Sequence, residues 1–152
     1  MELEIKELNE LKDQNYWLSK IKAADWRAAK YLAELLETKE FYTLCGSTSK
    51  VFLLIENQDL ISFCTFAEKD DIPNTDLTPW IGFVYTFPQF RGKHRIGKLI
   101  EHIYLLAKNQ GFKNLYISTD QQGLYENFGF SYDRTLKDRL GEDTLVYKRS
   151  LE

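Results

Sequence analysis

Arg91, Gly92, Lys93, His94 and Arg95 lie between an apolar run at 80–87 and an apolar-periodic stretch that begins at Ile96 and carries Gly97 and Lys98 in its first turn. A strand that turns through such a segment into a helix aims backbone N–H groups and the positive end of the helix dipole at one point. That point suits a phosphate. The cations there favour a ligand with more than one phosphate, and Gly92 lets it approach the main chain closely. Gly92, four residues and then Gly97-Lys98 also matches the opening of a nucleoside-triphosphate P-loop. The next position should supply a hydroxyl to Mg²⁺ but is Leu99, which counts against an NTPase. His94 reads as a contact to the ligand or to solvent, and His102 falls off the helix's apolar stripe.

The elements that must position this turn follow from periodicity. Met1 to Leu8 alternates apolar and acidic residues, Leu3 and Ile5 against Glu2 and Glu4, as a first strand with one buried face would. Asn9 is a plausible cap for a helix carrying Trp17, Leu18 and Ile21, and Asp25 for a second one through Leu36. Phe41 to Leu44 suits a short strand. Val51 to Ile55 and Leu60 to Phe66 form an antiparallel hairpin around a polar turn. Ala67 to Pro79 is a polar, proline-containing loop. Trp80 to Thr86 is then a strand, and Ile96, Leu99, Ile100, Ile103, Leu106 and Ala107 make one apolar helical stripe that Gly111 stops. Leu115 to Thr119 completes a right-handed βαβ unit with parallel pairing. A short helix follows at about Gly123 to Asn127, a strand begins at Phe130, and Thr144 to Lys148 closes the sheet.

The whole chain limits the function classes. Its 152 residues suit one domain spanning 1–152, and 43% hydrophobic with 14% aromatic residues suffice for a sizeable core. A formal net charge of −3 argues against general nucleic-acid binding. Cys45 and Cys64 have no metal or redox spacing and read as buried free thiols. With no signal peptide and no membrane-length apolar run, a soluble cytoplasmic protein without membrane or nucleic-acid partners is expected.

Two segments then carry a resemblance. Arg91-Gly92-Lys93-His94-Arg95-Ile96-Gly97-Lys98 resembles the acetyl-CoA pyrophosphate loop of the GNAT superfamily of N-acetyltransferases, with one extra residue in the turn. Gly123-Leu124-Tyr125-Glu126-Asn127-Phe128-Gly129-Phe130 resembles that superfamily's L-Y-x-x-x-G-F segment, one strand further on. The resemblance implies an α/β GNAT fold with a mixed central sheet of about six to seven strands and flanking helices. It implies an acetyl-CoA-dependent N-acetyltransferase that acts by direct attack in a ternary complex, without a metal, on a small-molecule or peptide amine. Homodimers are common in the superfamily.

Acetyl transfer to an amine requires a neutral amine, a polarised carbonyl and a proton for the departing thiolate. The resemblance implies that main-chain groups of Phe83, Val84 and Tyr85 pair with pantetheine as an added strand would, and that a bulge there would free an amide for the thioester oxygen. It also makes Tyr125 the candidate general acid. Among Glu68, Asp70, Asp71 and Asp76, Glu68 at the strand end is the expected general base, acting directly or through water. The loops at 20–25, 67–79 and 131–143 should set the acceptor. Two rivals are a non-catalytic acyl-CoA-binding or regulatory module, which would tolerate loss of Tyr125, and a P-loop-like nucleotide binder.

Overall fold

A computed structural model describes residues 3–152. The strands β1 (Glu4–Glu7), β2 (Lys50–Glu56), β3 (Asp59–Ala67), β4 (Trp80–Thr86), β5 (Asn114–Thr119), β6 (Ser131–Lys137) and β7 (Asp143–Ser150) form one seven-stranded sheet. Its order is β1-β2-β3-β4-β5-β7-β6, and only the β4–β5 pair is parallel. The reading of Met1 to Leu8 extends beyond the described residues at 1 and 2.

Helices cover both faces. Leu53 and Phe63 face one side, where α1 (Gln14–Lys22), α2 (Arg27–Glu37) and α3 (Phe41–Cys45) pack, and Leu54 and Cys64 the other, which an extra residue of β3 in the register against β2 lets Ile61 share. There α4 (Ile96–Asn109) inserts Leu99, Ile100, Ile103 and Ala107, all fully buried. Each large aliphatic side chain so buried stabilises the fold by roughly 1.5–3 kcal/mol. Gly111, at φ +85°, follows the helix end in the left-handed conformation.

Three expectations change. Phe41 to Leu44 is helical, because Phe41 and Cys45, one turn apart, share the buried face while Leu44 is exposed. The first helices begin later than the caps suggested: Asn9 lies in a 3-10 turn at Leu8–Glu10, Asp13 precedes α1, and Trp26 rather than Asp25 precedes α2. Trp26 takes that place with its ring stacked on Tyr85, centroids 5.6 Å apart, so packing and not a side-chain cap fixes the start of α2. Of the proposed loop 131–143, residues 131–137 are strand β6.

Candidate active site

The central strand carries the feature that makes a site. Phe63 of β3 pairs with Tyr85 and Thr65 with Gly82, so β4 has one residue more than its partner over this stretch. The extra residue is a bulge, and Phe83 sits in it at φ +49°. A residue without glycine's freedom holds such a conformation only where its surroundings over-determine it. The bulge also resets the alternation of side chains. Ile81 and Val84 both reach the α4 side, whereas Phe83 and Tyr85 both reach the α1–α3 side.

On its other edge β4 parts from β5. Only Trp80↔Tyr116 and Ile81↔Ile117 pair, and beyond them β5 continues against β7 alone through Ser118↔Val146 and Thr119↔Leu145. The main chain of 82–86 is therefore left facing an opening. A channel of about 710 Å³ occupies it, lined among others by Gly82, Phe83, Val84, Tyr85, Arg91, Ile96 and Tyr125. On the α2 side lies a second cavity of about 1000 Å³, walled by Trp26, Tyr31, Leu77, Trp80 and Phe83. Trp26, Phe83 and Asp70 line both.

Below the channel the chain does not turn directly into α4. A 3-10 turn at Pro88–Phe90 intervenes, after which Gly92 and His94 adopt positive φ of 85° and 53°. Among the described residues the amides of 92–96 donate to nothing, whereas Gly97 N–H and Lys98 N–H are taken by the carbonyls of His94 and Arg95 at 3.0 Å each. A run of unpaired amides at a helix start is an anion-binding concavity. Arg95 Nη1 is the one buried side-chain polar atom among the described residues that lacks a partner. Arg91 is held across the Tyr85 ring, 5.2 Å from its centroid, with Nε donating to the Thr86 carbonyl at 2.7 Å. Lys93, His94 and Lys98 are exposed. Of the residues expected to bind cofactor, Phe83, Val84, Tyr85, Arg91 and Ile96 line the channel, while Gly92, Lys93, His94, Arg95, Gly97 and Lys98 do not.

Tyr125, in a 3-10 turn at Tyr125–Phe128, is 7% exposed and lines the channel. Its hydroxyl has no partner among the described residues. Burial, with smaller contributions from Cys64 and Asp120, pushes the phenol up to about 12, so it stays protonated at neutral pH.

Glu68 lies elsewhere. Its carboxylate accepts from Thr48 N–H at 2.9 Å and Thr48 Oγ1 at 2.5 Å, which hold it below the usual carboxylate range, and it lines neither cavity. The structure thus does not bring Glu68 together with Tyr125 at either cavity. Asp70 is the carboxylate that reaches the junction. Its Oδ2 accepts from Ser118 Oγ at 2.7 Å, across the point where β4 and β5 part, and burial raises it from 3.8 to about 6. The sequence named Asp70 only as one of several loop acids and gave no sign of Ser118, because their meeting depends on the path of the loop. The sequence likewise marks Trp26 only as a helix residue.

A strand opened by a bulge, a helix start with unpaired amides beside it and a buried phenol together form a site suited to a phosphorylated ligand lying along a strand edge. The sequence profile described as "Acetyltransferase (GNAT) family" matches residues 15–130. The chain belongs to this family of acetyltransferases. Among solved structures, a GNAT-family protein from Desulfovibrio desulfuricans superposes with a TM-score of 0.72 at 15% identity, covering 99% of this chain and 100% of its own. An N-acetyltransferase from Staphylococcus aureus gives 0.68 at 19% identity with both chains covered completely. A GNAT family acetyltransferase from Elizabethkingia anophelis, with acetyl-CoA bound, gives 0.66 at 18% identity and 97% of each chain. No curated protein matches this chain.

Proposed function

We propose that the protein transfers the acetyl group of acetyl-CoA to a primary amine by direct attack in a ternary complex. The observation that carries this reading is the meeting of two cavities at the opened edge of β4, one continuing toward a cationic helix start and the other walled by aromatic rings. Acetyl-CoA is a substrate here. The unpaired amides of 92–96, with Arg91 and Arg95, suit its pyrophosphate, and the free edge at 83–85 suits its pantetheine. Acetyl-CoA in the Elizabethkingia relative supports the same choice of acyl donor.

Tyr125 then acts as the general acid. A phenol kept protonated by its surroundings donates to the sulfur as the C–S bond breaks. The acceptor amine enters from the aromatic cavity. Incubation with acetyl-CoA and a panel of primary amines, read by thiol release and by product mass, tests the reading. Acetylated amine and free CoA should appear in equal amounts. Acetyl-CoA binding without consumption by any amine would favour a non-catalytic acyl-CoA-binding module instead.

A further inference from the structure

Among the described residues Asp70 is the one titratable side chain that lines both cavities. Its place there is built. Ser118 Oγ of β5 donates to Oδ2, and Gly82 of the bulged strand leaves room for Oδ1, since a Cβ at 82 would come within 2.9 Å of that oxygen. The two other residues shared by the cavities are the rings of Trp26 and Phe83, which flank the passage. An aromatic pair beside one carboxylate is a receptacle for an ammonium group. Tyr31, Ile72 and Leu77 add apolar wall to the larger cavity.

We propose, resting on the acetyltransferase reading above, that Asp70 is the proton acceptor for the incoming ammonium, that Ser118 positions it, and that the acceptor is a primary amine on an aromatic or apolar body. Asp70 takes one proton from the ammonium and passes it to solvent. The freed nitrogen lone pair forms the C–N bond with the acyl carbon. As the C–S bond breaks, the sulfur takes its proton from Tyr125, and the second proton leaving nitrogen restores the phenol. The sum is ammonium plus thioester giving amide, thiol and one released proton.

The titration of Asp70 is set mainly by burial, which raises it, while Ser118 and the Asp71 amide lower it and the Asp71 charge raises it. Burial, and after it the Asp70 charge, pushes up the thiol of Cys45 at the end of α3. Arg27, Lys30 and Glu34 of α2, with Lys69 and Arg139, line the acceptor cavity, and Asp25, Arg91, Asp120 and Tyr125 line the channel. Arg139 is paired with Asp71 at 2.9 Å and so does not neutralise Asp70.

The test uses the full chain with 2-phenylethylamine as probe. In the wild type kcat/KM should rise with pH through an acidic limb. Asp70→Asn should lower kcat about 10²–10⁴-fold and abolish that limb, with KM for acetyl-CoA unchanged. Ser118→Ala, which removes a hydrogen bond that favours and orients the carboxylate, should move the limb to higher pH and lower the rate on its plateau by less than Asp70→Asn does. A folded Asp70→Asn protein with the wild-type rate and limb overturns the base assignment, as does a limb unmoved by Ser118→Ala. If other amines are acetylated but 2-phenylethylamine is not, the acceptor class is wrong. Failure with every amine removes the acetyltransferase reading itself, and the inference with it.

Discussion

Replacing Asp70 by Asn should stabilise the protein above neutral pH. The carboxyl rises from 3.8 to about 6 in the folded chain, mainly through burial. At about 1.4 kcal/mol for each tenfold change, the ionised form is roughly 3 kcal/mol less favourable folded than unfolded. Water reaching the half-buried side chain reduces this to about 1.5–2 kcal/mol. The sign follows from proton binding. Because the folded state holds this proton more tightly, the stability it contributes is complete below about pH 4 and is lost as pH rises through about 6. Asn has the shape of the protonated acid and accepts the same Ser118 hydrogen bond, so it keeps that stability at every pH. By calorimetry the variant should melt about 3–8 °C higher than the wild type at pH 8 and within a degree of it at pH 4. Equal melting at pH 8, or a gain as large at pH 4, would refute the view that a charge is held there against its preference.

Tyr125→Phe should lower kcat by about 10² or more with little change in acetyl-CoA affinity, as measured by thiol release and titration calorimetry. Because the phenol is pushed up to about 12, no loss of wild-type rate from its ionisation should appear below about pH 10. Reversing the charge at Arg91 and Arg95 should weaken acetyl-CoA binding about 10- to 100-fold per residue, the scale of a charged hydrogen bond, in the same titration. Ile103→Ala, at a fully buried position of α4, should destabilise the fold by about 2–5 kcal/mol and lower the urea midpoint.

How far the sequence reached depended on whether the structure was local. The stripe from Ile96 to Ala107 predicted α4 because period and burial agree, and the hairpin of β2 and β3 followed from two apolar runs around a polar turn. The motif-bearing turn was legible in residue type but not in path. The inserted 3-10 turn at Pro88–Phe90 moves the unpaired amides to 92–96, and Gly97 and Lys98 spend theirs inside the chain. Phe83 could be named as a cofactor contact from the resemblance, yet its positive φ arises from register against β3, which no local pattern encodes. The base proposed above was the least legible part of the site. Glu68 and Asp70 differ by two positions in one acidic loop, and only tertiary placement ties the first to Thr48 and carries the second to Ser118.

The most direct measurement is the melting temperature of the purified protein with acetyl-CoA, with CoA, and with ATP plus Mg²⁺. A ligand at a hundred times its dissociation constant stabilises the native state by about 2.7 kcal/mol, a shift of roughly 5–10 °C for a chain of this size. Acetyl-CoA and CoA should both produce such a shift and ATP with Mg²⁺ should not. A shift with ATP alone, or with none of the three, would contradict the assignment of the channel and the helix start to an acyl-CoA.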